Sequence, residues 1–141
     1  MKIRDVMTPN PRSVSPNDTV QAVAQLMRAE DTGAVPVVEN GRVLAVVTDR
    51  DIVVRVVADG GTLTTRVGDV ASTNVVTVSP DMSTKEASEI MSDRQIRRLP
   101  VVENDRLVGI VSLGDLAVKA GNDHRSGDTL EHISEGVKEH L

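Results

Sequence analysis

The chain contains no cysteine, phenylalanine, tryptophan or tyrosine. Without cysteine there are no thiolate nucleophiles, no thiolate-bound zinc and no disulfides, which is compatible with the cytoplasm. Without aromatic rings the core must be built from Val, Ile, Leu, Met and Ala. The stacking platforms that hold unpaired bases are missing as well, which argues against single-stranded nucleic acid. A net charge of −5 argues against duplex binding. No apolar run approaches the ~20 residues that a membrane span requires. No apolar stretch follows Met1-Lys2-Ile3-Arg4-Asp5, so no signal peptide is read there. The expectation is a cytoplasmic protein with neither a nucleic-acid nor a membrane partner. Catalytic groupings are scarce too. All three histidines (His124, His132 and His140) lie near the C-terminus. There is no Gly-x-Ser-x-Gly elbow and no Walker-type phosphate loop. The chain reads as a non-enzyme.

What the sequence does contain, it contains twice. A shift of 64 positions lays Ser15-Pro16 on Ser79-Pro80, Met27 on Met91 and Asp51 on Asp115. The same shift lays Pro36-Val37-Val38-Glu39-Asn40 on Pro100-Val101-Val102-Glu103-Asn104, and residues 3–55 align with 67–119 without a gap. Two copies are too few for a solenoid, so two like units packed face to face are expected, with ligands at the seam.

Each copy reads as β-α-β-β-α. In the first, Arg12 to Ser15 is a short extended stretch stopped by Pro16. A helix follows from Asp18 or Thr19, with Val20, Val23, Ala24 and Met27 on one face. Ala34 to Glu39 is a strand, and Pro36 puts it at an edge. Asn40-Gly41 is a two-residue hairpin turn. Val43 to Val47 is a continuous apolar return strand, expected to be buried on both faces. A second helix spans Thr48 to Ala58 with Ile52, Val53, Val56 and Val57 inward, and Asp59-Gly60-Gly61 ends it. In the second copy Val76 to Ser79 is the short strand. Ser83-Thr84-Lys85-Glu86 is a capping box that opens a helix with Ala87, Ile90 and Met91 inward. Leu99–Glu103 and Leu107–Val111 form a hairpin about Asn104-Asp105, and Ser112 opens the last helix of the repeat. Residues 60–66 form a join and 121–127 a loop. A helix from Asp128 to His140, with a weak stripe of Leu130, Ile133 and Val137, needs a partner surface such as a second subunit.

The return strands run into a hydroxyl-x-x-Asp segment: Ala45-Val46-Val47-Thr48-Asp49-Arg50-Asp51 and Gly109-Ile110-Val111-Ser112-Leu113-Gly114-Asp115. With Asp5-Val6-Met7-Thr8, Thr77-Val78-Ser79-Pro80 and the Pro-Val-Val strands, this ordered set resembles a tandem pair of CBS (cystathionine-β-synthase) domains, a Bateman module. The resemblance covers residues 3–120, and the chain is similar to the stand-alone bacterial type. It implies an α+β fold of two β-α-β-β-α repeats packed about a pseudo-twofold axis. Residues 1–60 and 67–120 would form the repeats, and 121–141 a C-terminal loop and helix. It implies two clefts that bind an adenine nucleotide (AMP, ADP or ATP) or S-adenosylmethionine, with no prosthetic group and with Mg²⁺ left open. It also implies a homodimer and a regulatory role toward a protein target that the sequence does not name. The bound ligand would change the relative angle or rigidity of the repeats. A ligand-free interaction module is the alternative.

The candidate site residues each have a plainer reading. In the family the motif aspartate, here Asp51 and Asp115, holds ribose hydroxyls, and the hydroxyl residue, here Thr48 and Ser112, lies near phosphate. The same spacing also makes a capping box, and the two readings can coexist. Arg97 and Arg98 precede the second Pro-Val-Val strand, where the first repeat has Gly33 and Ala34. The two clefts are therefore expected to differ, with the arginines facing phosphate or bridging Asp93 or Glu103 on the surface. Arg50 faces phosphate or is held by Asp49 and Asp51. Adenine would be gripped by Ala34, Val35, Val14, Val78 and Leu99 through aliphatic contact, or these are simply core residues. His132 and His140 with nearby glutamates could form a surface metal site, but a solvated face is the better reading.

Overall fold

A computed structural model describes residues 1–119. The expected C-terminal loop, the Asp128–His140 helix and all three histidines lie outside the described residues. No helix among the described residues is long and apolar enough to cross a membrane.

The elements run α1 (Ile3–Val6), β1 (Thr8–Pro9), α2 (Val20–Glu30), β2 (Ala34–Glu39), β3 (Arg42–Thr48), α3 (Asp49–Ile52), α4 (Thr84–Arg94), β4 (Arg98–Glu103), β5 (Arg106–Ser112) and α5 (Leu113–Lys119). A π-helical stretch, Val53–Val57, continues α3, and a short 3-10 helix spans Val67–Asp69. The fold is α+β. The chain divides into two compact units that do not follow the order of the duplication. The first unit holds Met1–Pro11, Val76–Asn104 and the chain from Val108; the second holds Arg12–Val75 and Asp105–Leu107.

The division arises because the leading segment of each repeat packs with the body of the other. In the first unit, Ile3 N–H donates to the Met82 carbonyl and Arg4 N–H to the Pro80 carbonyl, both at 2.9 Å. Thr84 N–H donates to the Met1 carbonyl at 2.9 Å. These bonds seat the single turn of α1 so that Ile3 and Val6 enter one core with Val78, Ala87, Met91, Leu99, Val101, Val111 and Leu116. β1 then pairs antiparallel with β5, Thr8 opposite Ile110 and Pro9 opposite Gly109, in a sheet ordered β1-β5-β4. A Cβ on Gly109 would collide with Met7 Sδ. Arg4 adds a surface bond to Glu103 Oε2 at 2.8 Å, and this hydrogen bond raises the arginine's pKa.

The second unit repeats the plan, with each donor 64 residues on and each acceptor 64 residues back. Val67 N–H donates to the Asp18 carbonyl at 2.8 Å and Gly68 N–H to the Pro16 carbonyl at 2.9 Å. Val67 joins the core of Val14, Val23, Met27, Val35, Val37, Ala45 and Val47, while Val70 packs with Val20 and Val56. Val46 and Ser72 exchange N–H···O bonds, the counterpart of the β1–β5 pairing.

The hairpins form where expected. Asn40 and Gly41 have φ of 54° and 83°, and Asn104 and Asp105 have 52° and 63°. These positive values match the strand twist. Pro36 and Pro100 break no ladder bond. Their carbonyls accept from Val14 and Val78 N–H, and a residue's N and O point to the same side of its strand. The missing N–H therefore faces away from β3 and β5.

Several expectations need correction. The short strands at 12–15 and 76–79 reduce to single parallel bridges, Val14 with Val37 and Val78 with Val101. Ala24 is exposed and Leu26 half-buried, so the α2 stripe is Val20, Val23 and Met27. β3 is not buried on both faces. Only Ala45 and Val47 are buried, and Leu44 projects from a bulge where Val37 pairs with Ala45 but Val38 with Val43. A two-stranded antiparallel sheet has one packed face, so alternation replaces a continuous apolar run. Of the second helix's apolar residues only Val56 is buried, while Val53 and Val57 are 58% and 68% exposed. At Ser83 the hydroxyl accepts from Glu86 N–H at 3.1 Å, the serine half of the box.

Fully buried Ile3 makes the leading segment a contributor to stability. Ile3→Ala is expected to cost ~2–4 kcal/mol in urea unfolding, and Val67→Ala ~1–3 kcal/mol. Gly109→Ala is expected to lower the midpoint as well, because the added Cβ displaces the Met7 side chain and lies 3.1 Å from the Thr8 carbonyl of β1.

Candidate functional site

Each return strand ends in a hydroxyl residue that caps the next helix. Thr48 is extended, with φ −115° and ψ 161°, and its side chain accepts from Asp51 N–H at 3.1 Å. Asp51 Oδ2 in turn accepts from Thr48 N–H at 2.9 Å. The second repeat closes the same ring, with Ser112 N–H to Asp115 Oδ2 and Asp115 N–H to Ser112 Oγ, both 3.0 Å. The capping reading of the motif is therefore present in both units. Closure of the box holds each carboxylate at the helix mouth instead of leaving it free to rotate into solvent.

The mouth is bordered by the start of the neighbouring strand. The Gly33 carbonyl accepts from Asp49 N–H at 2.9 Å, and the Arg97 carbonyl accepts from Leu113 N–H at 2.7 Å. In the second unit Thr32 Oγ1 also donates to the Ala34 carbonyl at 3.1 Å, which steadies the strand start. Thr48, Asp51 and Ala34 are thus gathered within one unit, and Ser112, Asp115, Arg97 and Arg98 within the other.

Asp51 is only 15% exposed at its side chain, and its second oxygen faces Arg55 Nε at 3.9 Å. Arg55 Nη1 also donates to the Val70 carbonyl at 3.1 Å. Arg55 escaped the sequence reading, although its i,i+4 spacing from Asp51 was a usable signal. In the sequence Asp49 reads as a helix-start acid and a possible holder of Arg50. Its placement against Gly33 has no signature in the sequence, because the two residues meet only through the fold.

The other candidates separate into two groups. Arg50, Arg97 and Arg98 are exposed. Among the described residues no ion pair within 4 Å involves the Arg50 guanidinium; instead Asp49 Oδ1 accepts the Arg50 backbone N–H at 2.8 Å. Glu103, a suggested partner for the arginine pair, is bound by Arg4. Val14, Val35, Val78 and Leu99 are buried in the two cores. Their burial fits the plainer reading of core residues. Among the described residues no three His, Cys, Asp or Glu side chains are grouped to hold a metal ion.

A family model for the CBS domain matches the chain twice, over residues 3–58 and 67–120. The CBS domain-containing protein YhcV of Bacillus subtilis is 46% identical over 132 residues, 94% of either chain. Hypoxic response protein 1 of Mycobacterium tuberculosis is 37% identical over 116 residues, 81% of either chain. A crystal structure of Hypoxic Response Protein I, with two coordinated zinc ions, superimposes with a TM-score of 0.76 at 36% identity, covering 82% of this chain and 96% of that one. A CBS domain pair in complex with 5′-methylthioadenosine and S-adenosyl-L-methionine shares the fold at 23% identity, with a TM-score of 0.74 over 82% of this chain and 92% of that one.

The capping geometry carries its own test. Thr48→Ala and Ser112→Ala are each expected to lower unfolding free energy by ~1 kcal/mol. A double variant is expected to lose the sum, because the two boxes share no partner. Chemical denaturation of the three proteins measures it.

Proposed function

This chain belongs to the CBS domain family as a tandem pair, and on that premise we propose that it is a non-catalytic sensor of an adenosine-containing ligand. The ligand class is AMP, ADP, ATP or S-adenosylmethionine. Asp51 and Asp115 accept hydrogen bonds from the ribose hydroxyls, and Thr48 and Ser112 with the first helical amides face the 5′ substituent. The observation that carries the reading is the closed hydroxyl–carboxylate ring beside a strand start, built twice with the same bonds. A carboxylate offers about four acceptor sites. At Asp51 the cap bond uses one of them, on Oδ2, and the carboxylate has further sites for a diol. The methylthioadenosine and S-adenosylmethionine complex of a pair with this fold supports the ligand class. Residues 1–119 contain no histidine or cysteine, in keeping with a module that binds and does not react. The ligand alters the surface offered to a protein target, and it does so only through unequal affinity for two states of the chain.

A homodimer is part of this proposal. Val53, Val54 and Val57 form an exposed valine face after α3, and Val118, at 80% exposure, is the repeat equivalent of Val54. An exposed apolar face of this kind suits a second copy related by a twofold axis. The same exposed face also favours the second reading, a ligand-free interaction module.

A thermal-shift screen with AMP, ADP, ATP, S-adenosylmethionine and NADH separates the two readings. A ligand at 100 times its Kd is expected to add ~2.7 kcal/mol, and no response to any of the five supports the interaction module. By titration calorimetry, Asp51→Ala is expected to weaken the responding ligand by ~1–3 kcal/mol, with an unchanged circular dichroism spectrum. Unchanged affinity removes the assignment of Asp51. In sedimentation equilibrium, Val57→Glu is expected to convert dimer to monomer.

A further inference from the structure

The two helix mouths carry opposite charge at equivalent places. In the second unit, a Cβ on Gly33 would lie 2.9 Å from Asp49 Oδ2 and 3.2 Å from its Cγ. The Asp49 carboxylate thus fills the space beside the strand start that a side chain at residue 33 would occupy. The main-chain bond between these two residues, Asp49 N–H to the Gly33 carbonyl, recurs in the first unit between Leu113 and Arg97. There the helix residue is buried Leu113 and the strand-start residue is exposed Arg97. The exchange is reciprocal, with an acid against glycine in one repeat and leucine against arginine in the other. Around this pair, Asp49 and Asp51 flank Arg50 in one repeat, with Arg55 Nε 3.9 Å from Asp51, and Arg98 follows Arg97 in the other. A phosphate placed beside Asp49 meets a like charge at close range. Placed beside Arg97, it meets a planar guanidinium fork suited to phosphate oxygens.

We infer that Asp49 and Arg97 determine which ligand each mouth takes. The mouth at Ser112/Asp115 takes a phosphorylated nucleotide, and the mouth at Thr48/Asp51 takes an adenosyl compound whose 5′ substituent is neutral or cationic. The inference rests on the reading of both mouths as adenosine sites. Asp49 sets ligand class by repulsion and Arg97 by attraction, so their effects depend on the phosphate and not on the nucleoside.

Amide NMR titrations of the full chain with ATP and with adenosine test this, following Thr48–Asp51 and Ser112–Asp115 as separate reporters. ATP is expected to shift the Ser112–Asp115 amides at a concentration at least about 10-fold below that needed at Thr48–Asp51, with no such split for adenosine. Arg97→Gly is expected to weaken ATP at its own mouth about 10-fold while adenosine changes by less than about twofold. Asp49→Asn is expected to tighten ATP at Thr48–Asp51 about 10-fold, again sparing adenosine, and it serves independently if the arginine variant is unstable. Equal ATP responses at the two mouths overturn the inference and leave the adenosine-site reading standing. So does an Arg97→Gly variant that loses adenosine and ATP alike, which marks the arginine as structural. No shift at either mouth with either ligand removes the adenosine-site reading, and this inference with it.

Discussion

The exchange of leading segments is the constraint on which the rest depends. Ile3 and Val6 complete the core under α4 and the β4–β5 hairpin, and Val67 does the same for α2 and the β2–β3 hairpin, while Val70 packs on Val20 and Val56. Neither repeat body has aromatic rings with which to fill its own core, so each is closed by two aliphatic side chains from a distant part of the chain. The bonds that seat the segments are main-chain bonds to equivalent residues, Pro16 and Asp18 in one repeat and Pro80 and Met82 in the other. A backbone-directed fit tolerates sequence divergence between the copies, which is why the docking survives although Met82 replaces Asp18.

The candidate sites inherit their geometry from that packing. Each helix mouth is made where the last residue of a return strand turns into a helix, and the strand is held by the core beneath it. The reciprocal bonds between Thr48 and Asp51, and between Ser112 and Asp115, are local; the strand-start carbonyls of Gly33 and Arg97 are not. Together they border each mouth with one fixed carboxylate, one hydroxyl and one short stretch of strand. The two copies share this frame and differ in charge, and duplication followed by divergence can produce that without altering the backbone.

The legibility of the sequence varied by element. The hairpins were readable because Asn40-Gly41 and Asn104-Asp105 accept positive φ, a property of the residues themselves. The caps were readable because Thr48 and Asp51 are three residues apart and need nothing distant. The burial of Val53 and Val57 was misread because helical periodicity names a face without saying whether anything covers it. The both-faces burial expected of Val43–Val47 failed for the same reason: an apolar run does not say how many layers lie around it. Ile3 and Val67 gave no local signal of their destination.

By itself, then, the sequence established the duplication, and it placed the hairpin strands, the turns and the two hydroxyl–carboxylate pairs, because each of these depends on residues within a few positions of one another. Only the tertiary structure decided which leading segment closes which core, that Val14, Val35, Val78 and Leu99 are packed inside, and that Asp49 lies against Gly33 where the other repeat carries Arg97. Those outcomes depend on pairs far apart along the chain, and no local preference encodes where the backbone will bring them together.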